Sequence, residues 1–132
     1  MSDIGLTHVA LPVRSLAASI AFYARYAGMQ PVHQRPGVAW VSDRTRPFAV
    51  VLIETTGRID PLLPMAHLGV GVATRDEVDR LAALARDAQC LLREPQDSGP
   101  PVGYWALIRD PDGHTLEVAF GQELGPTVAA GG

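Results

Sequence analysis

Two histidines and one glutamate stand out for the company they keep. His8 lies within IGLTHVALPV, residues 4 to 13; His67 opens HLGVGVA; Glu117 sits between Leu116 and Val118 in RDPDGHTLEVAFG. All three runs read as strands, whose side chains alternate between two faces. His8 then shares a face with Ala10 and Pro12, His67 with Gly69 and Gly71, and Glu117 with Thr115 and Ala119, while the bulky apolar residues take the opposite face. Small residues around ligating groups describe a cavity rather than a packed core. Two imidazoles and one carboxylate suit a divalent ion, Fe(II) or Mn(II) ahead of Ni(II), Co(II) or Zn(II), and leave positions open for water or substrate. The ion would also offset a carboxylate that is costly to bury alone. Taken singly, each residue has a plainer reading, with the histidines as hydrogen-bonded core groups and Glu117 paired to an arginine. Their shared face favours the metal.

The elements that must position these groups repeat. After the first strand, Ser15 offers a helix N-cap, Leu16, Ile20, Tyr23 and Ala27 recur at helical spacing, and Gly28 supplies a stop. After His67, Thr74 and Glu77 have the spacing of a capping box, and Val78, Leu81 and Ala85 form the apolar stripe. The interval from His8 to His67 equals that from Ser15 to Thr74, which points to an internal duplication. Further strands are expected around Val38 to Val41, Phe48 to Glu54, Tyr104 to Ile108 and Thr115 to Phe120, the last two joined by an Asp-Gly hairpin turn. Gln30 to Gly37 and the Pro-rich EPQDSGPP, residues 94 to 101, read as loops. The resulting organisation is one domain: module one about 4–56, a linker 57–65, module two about 66–122, and a tail 123–132.

The bulk properties set limits. In 132 residues, 47% are hydrophobic and 19% charged, as in an ordinary globular protein. A net charge of −3 without a basic run gives no footprint for nucleic acid. No apolar stretch approaches the roughly 18 residues of a membrane span, and the N-terminus lacks a signal-peptide pattern. The expected location is the cytoplasm, the expected partner a small molecule. Cys90 is the single cysteine, expected as a small buried hydrophobe.

Three segments, THVALPVRSLAASIAFYARYAGM, AHLGVGVATRDEVDRLAALA and RDPDGHTLEVAFG, resemble the vicinal oxygen chelate superfamily, which holds glyoxalases, extradiol dioxygenases, fosfomycin-resistance enzymes and bleomycin-binding proteins. The resemblance spans about residues 4 to 122 and implies an α+β fold: two βαβββ modules forming a curved mixed sheet around a cavity, with helices on the outer face. It also implies a homodimer, with modules paired within one chain or exchanged between two. By the same resemblance the metal ligands are His8, His67 and Glu117. A fourth ligand, present in glyoxalase-like members, falls where this chain has Val51 or Leu52, with Glu54 able to reach it through a bulge. Tyr104 is the candidate proton-transfer group.

Three ligands without a fourth bring the chain nearest extradiol dioxygenases and fosfomycin-resistance transferases. The latter carry a threonine two residues after the first histidine, where this chain has Ala10. The expectation is a divalent-metal enzyme acting on a small substrate chelated through two oxygens, extradiol-dioxygenase-like in type. Alternatives are a glyoxalase-type lyase or isomerase, and a metal-free drug-binding protein of the bleomycin-resistance kind.

Overall fold

Strand β1 (His8–Val13) passes through Arg14 into helix α1 (Leu16–Ala27) at Ser15, whose hydroxyl accepts from Ala18 N–H at 3.2 Å. The helix ends where Gly28 takes a left-handed φ of 65°, the conformation that glycine adopts without strain. Three strands follow: β2 (Gln30–Arg35), β3 (Val38–Ser42) and β4 (Ala49–Glu54). In this computed structural model, which describes residues 2–131, the plan then recurs: β5 (Leu68–Gly71), α2 (Arg75–Asp87), β6 (Leu91–Asp97), β7 (Tyr104–Arg109) and β8 (Thr115–Phe120). Thr74 caps α2, accepting from Glu77 N–H at 3.1 Å. The Glu77 carboxylate does not return to the cap but pairs with Arg80.

The strand orders are β1-β4-β3-β2 and β5-β8-β7-β6, with the outer pairs β1/β4 and β5/β8 parallel and the rest antiparallel. Each sheet is therefore one βαβββ module, and the architecture is α+β as expected. The chain divides into two compact units, Met1–Pro61 and Leu62–Gly132, parting inside the stretch read as a linker.

In the first unit α1 lies across β2, β3 and β4, burying Leu11, Val13, Tyr23, Val41, Val50 and Leu52. In the second, α2 covers β6, β7 and β8 over Val78, Leu81, Ala106, Ile108, Leu116 and Val118. Each valine, leucine or isoleucine among them contributes about 1.5–3 kcal/mol when fully buried, so the helix-facing sides hold each unit together.

Several boundaries differ from expectation. β1 begins only at His8, and Ile4 and Leu6 before it are exposed. The face of α1 is turned toward Ser19, Phe22, Tyr23 and Tyr26, whose aromatic rings offer more area to bury than Leu16 or Ile20. Gln30–Arg35 and Leu91–Asp97, read partly or wholly as loops, are edge strands. The tail forms a short helix, α3 (Leu124–Ala130), that buries no residue. Among the described residues, no helix is long and apolar enough to cross a membrane.

Candidate metal centre

The hairpin that delivers Glu117 is fastened by a buried acid. Asp110 accepts through Oδ1 from the backbone N–H of Asp112 and of His114, each at 2.8 Å, while Gly113 completes the turn with φ 93°. His114, 1% exposed, accepts at Nδ1 from Leu62 N–H at 3.0 Å, and Leu62 O accepts from Thr115 N–H. His114 is thus a fastening for the chain entering this unit, consistent with its parity opposite to Glu117.

From that hairpin β8 carries Leu116, Val118 and Phe120 to the helix side and Thr115, Glu117 and Ala119 to the other. Its register with β5 sets Gly69 opposite Glu117 and Gly71 opposite Ala119. A Cβ on Gly69 would stand 3.4 Å from Glu117 Oε2, so glycine leaves the space over the carboxylate free of any longer side chain. Glu117 is 8% exposed, and its Oε2 accepts from the Gln122 amide at 3.0 Å. Ion pairs among the described residues include Arg58–Asp60, Arg75–Asp97, Arg80–Glu77 and Arg86–Glu94. None neutralises Glu117. A buried carboxylate without a cation is expensive, and this one faces a strip of glycine.

His67 precedes β5 on the same face as Gly69. Its Nδ1 lies 3.1 Å from the carbonyl of Pro64 and 3.2 Å from that of Met65. A carbonyl only accepts, so Nδ1 carries the proton and Nε2 keeps its lone pair. Orienting a histidine through its second nitrogen is how ligating imidazoles are prepared for a metal. His8, exposed at the start of β1, has the Thr7 hydroxyl at 3.0 Å from Nδ1; a hydroxyl both donates and accepts, so this contact does not fix the tautomer as the carbonyls do at His67. The donor set fits a borderline divalent ion. Among the described residues no group of three or more His, Cys, Asp or Glu side chains is assembled to hold one. His67 and Glu117 share a face in the second unit, and His8 belongs to the first.

The first unit's counterpart to Glu117 can be identified by register. Gly69 pairs with Glu117, and its repeat equivalent Ala10 pairs with Val51 across an unbroken parallel ladder. Val51, not Leu52, is therefore the register counterpart of Glu117, and its side chain has no donor. Glu54, three residues on, falls on the opposite face, where its carboxylate accepts from Leu16 N–H at 3.1 Å. It caps the positive end of α1, and the expected bulge is absent from β4.

Tyr104 is also on the helix side. It pairs with Phe120, its hydroxyl donates to Asp79 on α2, and the Arg75 guanidinium lies 3.8 Å from its ring centre. The hydrogen bond to Asp79 pushes the phenol up from its ordinary value. A phenol committed to α2, with opposite parity to Glu117, is a fastening and not a proton-transfer group at that carboxylate. Trp105, the next residue, does share Glu117's face through its pairing with Ala119, and Trp40 shares the face of Ala10 and Val51. Both are half-buried. Gln122 was not singled out from sequence; its only signal was that it follows the turn at Gly121, just past Glu117.

His33 lies on β2 with its ring 4.9 Å from that of Trp40, and it accepts from Arg35. Among known proteins, the chain is similar to an uncharacterized protein of Pseudomonas aeruginosa, 38% identical over 128 residues, covering 92% of this chain and 91% of that one. It is also similar to a trivalent organoarsenical cleaving enzyme of Thermomonospora curvata, 33% identical over 90 residues, covering 68% of this chain and 58% of that one. In fold it matches a crystal structure of the fosfomycin resistance protein FosX from Listeria monocytogenes with Mn(II) bound, at 16% identity and TM-score 0.71, covering 96% of this chain and 99% of that one. The family model for the Glyoxalase/Bleomycin resistance protein/Dioxygenase superfamily matches residues 5–118, both modules nearly end to end. With the doubled βαβββ plan, that match shows that the chain belongs to this superfamily.

Proposed function

We propose that the protein is a divalent-metal enzyme whose ion is held by His8, His67 and Glu117, and that its substrate is a small molecule presenting two adjacent oxygens. The observation that carries this reading is Glu117: a carboxylate 8% exposed, without a cationic partner among the described residues, set beside Gly69. Bound there, a divalent ion would act as a Lewis acid toward the two substrate oxygens. The chain's own residues supply the rest. The protonated Nδ1 of His67 aims Nε2, Gln122 steadies one carboxylate oxygen, and Gly69 and Gly71 leave room above the strand. Fe(II) or Mn(II) is favoured; FosX, of like fold, has been crystallised with Mn(II). His8 comes to the other two from module one of the same chain or of a second copy in a homodimer.

The reaction class favoured is extradiol-dioxygenase-like cleavage of a ring diol. Two tryptophans, Trp40 and Trp105, stand on the ligand-bearing faces and suit a flat aromatic substrate. With Val51 as the counterpart of Glu117 and Glu54 of β4 engaged with the N-terminus of α1, neither candidate offers a fourth donor, which weighs against glyoxalase-type chemistry. The relative named for cleaving trivalent organoarsenicals supports an enzymatic role. Its substrate class does not carry over simply, because trivalent arsenic is thiol-seeking and this chain has the single Cys90.

Protein purified without chelator and then loaded anaerobically with Fe(II) or Mn(II) tests the proposal. One equivalent of metal per chain is expected, falling below about a tenth in H67A while the fold persists. Yellow ring-cleavage product from a catechol panel in air is expected of the iron form. Unchanged metal content in H67A would remove that ligand, and failure to take up any of the five candidate ions would return the protein to the metal-free binding class.

A further inference from the structure

The β3–β4 connection carries chemistry that the metal triad does not use. Between it and the start of β1 lies a cavity of about 420 Å³, lined by Asp3, Thr7, Arg44, Arg46, Phe48 and Ala49 among others. That volume is in the range of small-molecule sites, roughly 300–1,000 Å³. The connection holds a definite shape. The Ser42 hydroxyl donates to Phe48 O at 2.8 Å and accepts from Arg44 N–H at 3.0 Å. Asp43 accepts from both the N–H and the hydroxyl of Thr45, at 2.9 and 2.6 Å, so its carboxylate is engaged within the turn itself. Arg44 sits at φ 61°, a left-handed conformation that long side chains rarely adopt.

Two arginines thus line one cavity, and neither enters an ion pair given above among the described residues. Asp3 is the acid on the described lining, so the cavity keeps an excess of one positive charge. Val32 and Phe48 add an apolar wall for the carbon part of a ligand. The cavity adjoins the first candidate ligand: the Thr7 hydroxyl on its lining is 3.0 Å from His8 Nδ1, and Ala49 is the register partner of His8.

We infer that this cavity is an oxyanion subsite, taking the carboxylate or phosphonate end of a small substrate whose reacting oxygens lie on the His8 side. Guanidinium forks match both oxyanions in geometry. The placement of the reacting end rests on the metal-enzyme reading; the anion site itself does not.

Titrating chelator-stripped protein at low salt with benzoate, and separately with methylphosphonate, tests this by calorimetry. Saturable binding of at least one probe is expected, weakened about tenfold in R44Q or R46Q, abolished in the double variant and partly kept in R44K/R46K. A stronger response to benzoate assigns a planar anion, and to methylphosphonate a tetrahedral one. No binding of either probe, or binding undiminished in R44Q/R46Q, overturns the subsite. Metal content of R44Q/R46Q is expected to match the native protein. If anion binding survives while metal uptake fails in every form, the subsite stands and the metal reading falls; metal uptake without anion binding gives the reverse.

Discussion

At Glu117 two demands oppose each other, and a conservative variant separates them. E117Q keeps the shape and removes the buried charge. The metal-free variant is expected to be more stable than the native protein by about 1 kcal/mol or more, since an amide is cheaper to bury than an unpaired carboxylate. The rise in Tm on adding Mn(II) should vanish. Thermal melts with and without metal check both, and a strongly destabilised E117Q would mean the carboxylate has a structural partner. Y104F is expected to cost about 0.5–1.5 kcal/mol through the lost hydrogen bond to Asp79, with turnover per bound metal unchanged; a loss of turnover would restore Tyr104 to the chemistry. The three ligand candidates were legible because period-two alternation fixes a strand's faces without knowledge of its neighbours. The same parity already separated Glu54 from Val51, and only an assumed bulge had reconciled them. Tyr104 was misread because its partners, Asp79 and Arg75, reach it from a helix packed across the sheet, a relation no local pattern encodes.

Among elements, α2 is held to β6 by charge as well as by packing: Arg75 to Asp97, at 3.1 Å, and Arg86 to Glu94. Hydrogen bonds to the guanidiniums hold Glu94, and within the helix Glu77, below the ordinary carboxylate value of 4.5. Asp97 is lowered from 3.8, first by the Gly99 N–H and then by Arg75. Folding therefore favours the charged forms. Their contribution is complete above those ordinary values and is lost as pH falls through the lower folded ones. On lowering the pH from 6 to 3, hydrogen-exchange protection relative to the intrinsic rate is expected to fall in α2 and β6 before α1 and β2, and added salt should mimic part of the effect because the pairs are exposed. Equal loosening in both units would refute it. The helix caps Ser15 and Thr74, the Gly28 stop and the β7–β8 turn were all readable from residue type. β2 and β6 were not: QPVHQR and LLREPQD are polar edge strands broken by proline, and their strand character comes from a neighbour's ladder.

For the whole molecule, the duplication read from histidine and cap spacing is the repeated β1-β4-β3-β2 and β5-β8-β7-β6 order. For the triad proposed above, spacing does not decide which copy's module one would supply His8. Refolding H8A together with E117Q decides it. If the site lies between copies, mixed dimers regain one intact triad, and metal is expected at about a quarter of all sites by random pairing. If each chain builds its own, the mixture binds none. Size-exclusion chromatography of the native protein should show a dimer in the first case.

The asymmetry between Val51 and Glu117 has a consequence for how many guests an ion held as proposed could host. Were that ion octahedral, three protein atoms would leave three positions open, and a fourth protein atom would leave two. A two-toothed diol would fill two. The hydrocarbon at position 51, a minor divergence between sister halves, is on this reading what reserves the last vacancy for a companion molecule.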